Sequence, residues 1–338
     1  MHVLIFIAAI AALKLAAPLF IPFALAMFFF LLLLPVMSAM CRTGLPRFAA
    51  AAVSVLTLFG LLAFLAYLSA GPAAKWLEEL PVLVPSVQAK LEPVSEPMAK
   101  IEAAASEVEK LADVDDEPAS TKVRVEEQSA VSSLLDQASY FATLLVVTIF
   151  LTFFLLTYSE QLEQRIANLG RTFGERRRLL RIGRQLQVQI SRFLGTITLI
   201  NIVLGVVAGF IFYQLDVPNY WMWGGVVAFA NFVPYLGAVT MTVVMSAVAI
   251  VSFDTLAQAA MVPLLYLLLT IIEGQLVTPI LVGHRLDLNP LVIFIAVIFW
   301  TYMWGFVGAL VAVPIIASSR IILSNIPATQ PVARLLAK

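Results

Sequence analysis

Residues 231–238 read NFVPYLGA and residues 304–314 read WGFVGALVAVP, and each stretch lies in the middle of a long apolar segment. As straight helices the two segments, 222–252 and 290–324, would reach about 46 and 52 Å at 1.5 Å per residue, against a hydrocarbon core of about 30 Å. Each is too long for one upright crossing and too short for two. Gly and Pro at membrane depth free backbone groups that hydrocarbon cannot satisfy, so unwound turns survive there only inside protein or against a water-filled cavity. Two broken segments in one carboxy-terminal half point to a binding site built from half-helices.

The rest of the chain agrees with a membrane setting. Of its 338 residues 61% are hydrophobic and 12% charged, against about 45–50% and 25% in soluble domains. The expected fold class is therefore all-α: a polytopic membrane protein with two broken or re-entrant segments, plus an external amphipathic helical segment. The formal net charge is zero, so nothing draws the chain to nucleic acid. A lone cysteine, Cys41, and two histidines, His2 and His284, leave no thiolate or imidazole cluster for a metal. No cofactor is expected.

Charge placement divides the chain. Residues 1–71 hold only Lys14, Arg42 and Arg47 and read as three amino-terminal spans, the first forty residues turning near Pro18 and Pro22. Residues 72–136 carry fourteen acids and six bases and read as an external segment. A span at 137–158 follows, then an arginine-rich stretch at 159–190 and a carboxy-terminal transport block at 191–338. Lys and Arg near span ends stay on the cytoplasmic side, so Arg165, Arg171, Arg176, Arg177, Arg178, Arg181 and Arg184 place 159–190 inside, and Arg320, Arg334 and Lys338 place both termini there too. The same arginines offer contacts to anionic membrane lipid. In the external segment Val87, Leu91, Val94, Met98, Ile101, Ala105, Val108 and Ala112 form a heptad seam, which can pack on a second copy or on the protein's own surface.

Glu273 lies between LLYLLLTII and GQLVTPILV, the one carboxylate deep in an apolar segment of the carboxy-terminal block. Such a group costs several kcal/mol unless paired, solvated or protonated, and intramembrane ionisable residues are functional candidates by default. Gln275 and Thr278 follow it; on an α-helix Glu273 and Thr278 would lie about 140° apart, so only an unwound turn before Pro279 brings them together. Asn231 and Tyr235 add neutral hydrogen-bonding groups in the first broken segment. No hydrolase motif or phosphate loop is present, and 159–190 is too short to be a nucleotide-binding domain. An enzyme is not expected; secondary transport or passive permeation is.

The order NFVPYLGA at 231–238, EGQLVTPILVG at 273–283, LNP at 288–290 and GFVGALVAVP at 305–314 resembles the autoinducer-2 exporter family, over nearly the whole chain. The resemblance implies a bacterial inner-membrane permease of about eight membrane segments that assembles as a homo-oligomer, with a pentamer as one form. Some members export the small polar quorum-sensing signal autoinducer-2, and others behave as sodium or lithium/proton antiporters. The family's motif positions fall on Asn231, Pro234, Gly237, Glu273, Pro279, Gly283, Pro290, Gly305, Gly308 and Pro314. The chain departs from the family at Thr196, where Gln is common after Gly195, and at Ala238, where Pro is common after Gly237.

These readings lead to an exporter or facilitator of small polar solutes moving through a cavity lined by the two broken segments. Asn231, Tyr235, Gln275 and Thr278 would offer hydrogen bonds, and Glu273 would relay a proton. The alternatives are a cation/proton antiporter with the ion at Glu273, and a membrane scaffold that transports nothing.

Overall fold

The computed structural model describes residues 2–76, 78, 127–282, 288–326 and 329–337. The heptad seam at 87–112 and motif residue Gly283 lie outside them. The described residues are helical, with one isolated bridge pairing Leu288 with Ala337. Among the described residues six helical stretches are long and apolar enough to cross a membrane.

Helix α1, His2–Leu15, gives way to α2, Ala17–Arg42, at Ala16. This break lies just upstream of Pro18 and Pro22, and helical hydrogen bonds from Ala16 N to Ala12 O and from Phe20 N to Ala16 O run on either side of it. Pro18 sits in the first turn of α2, where a missing N–H costs nothing, and Pro22 is carried inside the helix. With 14 residues α1 spans about 21 Å and is not one of the six membrane-length stretches. Helix α3, Arg47–Trp76, is followed among the described helices by α4, Glu127–Ala167. Together with α5, Phe173–Gln214, these form the first core, where Phe28, Leu31 and Met37 pack on Ala50, Ala51, Val55, Leu156, Ile190 and Leu194.

A capping box starts α5. The Thr172 hydroxyl accepts from Glu175 N at 3.2 Å, and the Glu175 carboxylate accepts from Thr172 N at 3.2 Å. Its arginine-rich first turns run straight into the apolar half. Helix α6, Tyr220–Ala230, then folds back along α5 at backbone distance, because Gly205 and Gly209 face Gly224. A Cβ on Gly224 would lie 2.6 Å from Gly205 O. Small residues spaced by four let membrane helices approach this closely.

Both broken segments break where expected. The first becomes α6 and α7, Leu236–Ser252, joined by residues 231–235. The chain reverses there: a Cβ on Gly237 would lie 2.7 Å from the Ala230 carbonyl carbon, seven residues earlier. Helix α7 packs on α8, Leu256–Ile272, in a second core that includes Met241, Met245, Val262 and Tyr266. A π-turn, Glu273–Val277, and α9, Thr278–Val282, continue α8.

The second broken segment is α10, Pro290–Ser324. Its backbone leaves helical geometry at Trp304 and Gly305, where Gly305 takes φ +61° and ψ −142°, a region that only glycine enters at low cost. Past this elbow the chain again doubles back. Val297 packs on Ala309 and Ala312, and Leu288 packs on Ala317. Both ends of α10 meet the arginine-rich end of α5. Phe193 packs against the cluster of Leu288 and Ala317, the Asn325 amide donates to Gln185 Oε1 at 2.9 Å, and Arg178 donates to Asn325 O. The Asn289 N–H donates to Leu336 O at 3.1 Å, which ties in the short helix α11, Gln330–Leu335.

Candidate functional site

The two elbows meet. Phe229 stacks on Phe306 with ring centroids 5.4 Å apart, Val233 packs with Val297, Ala309 and Ala312, and Tyr235 meets Phe294 edge-on at 6.0 Å. Pro234 cannot donate to a helix ladder, and the Leu236 N–H closes on its carbonyl at 2.7 Å. Tyr235 is held at φ +63° and is half exposed. That backbone region is costly for a bulky residue, and such strain gathers at ligand sites.

At the same elbow the Asn231 amide donates to Asn201 Oδ1 at 2.9 Å. Asn201 is 1% exposed in the middle of α5, and its own Nδ2 has no hydrogen-bond partner among the described residues. A buried donor left unpaired costs about 1–3 kcal/mol. Sequence reasoning missed Asn201, although the signal was there: it is a lone amide in the apolar run LINIVLG.

Glu273 and Thr278 do converge. The π-turn adds a residue to the helical turn, so positions five apart share a face, and the Thr278 hydroxyl donates to Glu273 Oε1. Both side chains are half-buried, while Gln275 and Pro279 are exposed. The described contacts do not join this pair to Asn231. The Glu273 pair hydrogen-bonds within its own turn, and Asn231 bonds across to α5.

The remaining motif residues act on the backbone. Asn289 caps α10, its side chain accepting from Leu291 N at 2.9 Å, with Pro290 opening the helix. Gly308 is the point where the arms of α10 touch: a Cβ there would lie 2.5 Å from the Trp300 carbonyl carbon. Pro314, buried in the second arm, lines an apolar cavity of about 520 Å³ that also reaches Trp304. Residues 231–237 do not line that cavity.

The amino terminus reaches this elbow as well, which the sequence did not announce. Trp304 Nε1 donates to Leu13 O at 3.3 Å, and Lys14 Nζ lies 4.0 Å from the centre of the Tyr302 ring. A cation thus stands beside the break in α10, supplied by a helix some 290 residues away in sequence.

Comparisons with known proteins agree with this architecture. The AI-2 transport protein TqsA of Escherichia coli (strain K12) is 28% identical over 330 residues, covering 97% of this chain and 92% of that protein. YhhT of the same strain is 24% identical over 326 residues, covering 95% and 90%. YrrI of Bacillus subtilis (strain 168) is 25% identical over 197 residues, covering 58% and 54%. The family model for AI-2E family transporters matches residues 3–328, nearly the whole chain, and the chain belongs to the AI-2E transporter family.

Proposed function

We propose that the protein is a secondary transporter of the bacterial inner membrane, with both termini cytoplasmic, that passes small polar solutes of the autoinducer-2 type. The observation that carries this reading is the unpaired Nδ2 of Asn201, whose Oδ1 is bonded to Asn231 at the first elbow. A buried donor beside unwound backbone suits a neutral hydroxylated molecule, which accepts the hydrogen bond without bringing a charge that must be desolvated. The name of TqsA supports the same solute class.

In this reading α6–α7 and α10 are re-entrant hairpins entering from opposite sides. The hydrogen bonds of Asn325 with Gln185 and Arg178 of α5, the packing of Phe193 of α5 on the Leu288–Ala317 cluster, and the packing of Trp76 on Trp223 near the start of α6 support opposite entry. The positive-inside bias then makes the α10 side cytoplasmic. A homo-oligomer would cover the 256–282 stretch, whose apolar window is only 11% buried within one chain against 50% for α10.

A sodium or lithium/proton antiporter is the second reading. It rests on the Glu273–Thr278 pair, where a cation could take the carboxylate together with carbonyls loosened by the π-turn. One experiment separates the two. Purified protein in liposomes should pass autoinducer-2 down its gradient, and Asn201→Leu should slow it at least about tenfold, the equivalent of about 1.4 kcal/mol lost at the transport barrier. Robust sodium/proton exchange without organic solute, unaffected by Asn201→Leu, would replace the first reading with the second.

A further inference from the structure

Away from the elbows, a cavity of about 780 Å³ opens between α2, α3, α4 and α5 at the arginine-rich end. Four guanidinium groups line it, Arg42, Arg47, Arg184 and Arg192, against two carboxylates, Glu160 and Glu163. Two of the arginines are taken. Arg47 pairs with Glu160 at 2.6 Å and Arg184 with Glu163 at 3.4 Å. Arg42 and Arg192 form no ion pair among the described residues, so the cavity keeps an excess of two positive charges.

Ser191, on its wall, is 5% exposed, and its hydroxyl has no hydrogen-bond partner among the described residues. Two free guanidinium groups and a buried unpaired hydroxyl are the donor set for a phosphate oxyanion, with arginine suited to bidentate contact.

What lies next to this cavity identifies the source of the phosphate. Ser159, Glu163 and Gln187 also line the apolar cavity of about 520 Å³, which runs between α2, α4 and α5 to Trp304 and Pro314 of α10. A free phosphate has no use for that second chamber. A phospholipid has both a charged head and an apolar tail, and the arginine side of a membrane protein faces the leaflet where anionic lipid concentrates.

We propose that the double cavity holds one anionic phospholipid, its phosphate among Arg42, Arg192 and the Ser191 hydroxyl and one acyl chain reaching the elbow of α10. The lipid then acts as a wedge between the α2–α4–α5 core and the second arm of α10. This holds whatever solute the protein carries.

Native mass spectrometry of protein released from nanodiscs of equal phosphatidylglycerol and phosphatidylcholine tests it. Wild type should retain one phosphatidylglycerol per chain in preference to phosphatidylcholine, a comparison that needs no variant. Arg42→Gln with Arg192→Gln should cut that preference about 25-fold, from roughly fivefold for each basic side chain lost near an anionic headgroup. Gly183→Leu should abolish retention with the arginines intact. Gly183 lines the apolar chamber, a Cβ there meets nothing closer than Glu163 Cγ at 4.0 Å, and Leu favours helix over Gly. Equal retention of the two lipids, or a double arginine variant that retains phosphatidylglycerol like wild type, would overturn the proposal. So would millimolar inorganic phosphate raising the melting temperature as much as phosphatidylglycerol does, with Gly183→Leu without effect, since that marks a site for free anions.

Discussion

Replacing Gly308 by Ala tests whether α10 doubles back on itself. In a straight helix residues 300 and 308 would lie about 12 Å apart along the axis, and an added methyl would meet nothing on Trp300. In the folded-back arrangement that methyl lies 2.5 Å from the Trp300 carbonyl carbon and 3.2 Å from Trp304 Cβ. Carbon atoms rest at about 3.5–4.0 Å, so the two arms must part by about 1 Å. The obstructing atom is backbone, and no rotamer relieves it. The cost therefore falls at the upper end of overpacking, about 3 kcal/mol, offset by about 1 kcal/mol from the better helix propensity of Ala. A net loss of about 2 kcal/mol lowers the melting temperature by about 4–8 °C, at about 2–4 °C per kcal/mol. Gly225→Ala is the control, because it lies in α6 with nothing within 4 Å of its added methyl and should leave stability unchanged or raise it. Both variants would be read by differential scanning fluorimetry of purified protein in one detergent. A Gly308→Ala protein that melts with the Gly225→Ala protein would refute the reversal at the α10 elbow.

Three further outcomes follow from the same contacts. Asn231→Ala removes the donor to Asn201 Oδ1 and should cost about 1 kcal/mol of stability, measured as a melting shift, while slowing solute flux in liposomes by more than that shift explains. Glu273→Gln keeps an oxygen that accepts from the Thr278 hydroxyl, so it should fold like wild type while abolishing cation exchange in liposomes under the second reading; unchanged exchange would leave Glu273 a structural hydrogen-bonder. Cysteines placed singly at Pro290 and Ala337 in a Cys41→Ser background should both react with a membrane-impermeant maleimide from the cytoplasmic side only, because Asn289 and Leu336 are hydrogen-bonded neighbours; labelling of either from outside would sink the proposed orientation.

Membrane character, helical class and both break points were legible in the linear chain because each follows from a local property. Apolar run length is compared with bilayer thickness, and residues such as Pro234, Gly237 and Gly305 lower the cost of leaving helical geometry at the point where they stand. The exposure of Glu273 to functional scrutiny was legible for the same reason, since a carboxylate in an apolar run is costly in any fold. The sequence tied its meeting with Thr278 to an unwound turn before Pro279, whereas in the structure a π-turn brings the two together.

What the breaks do was decided by tertiary structure. A glycine in an apolar run can kink a span or reverse it, and the choice depends on what the two arms find to pack against: for α10, Val297 on Ala309 and Ala312. The partner of Asn231 lies 30 residues away on α5, and the cation at the α10 elbow comes from Lys14 near the other end of the chain. Four arginines share one cavity once the chain is folded: Arg47 and Arg184 are held by Glu160 and Glu163, while Arg42 and Arg192 form no ion pair among the described residues. Pairings of this kind are set by which helix faces meet, and the spacing of residues along one helix carries no information about the face of another.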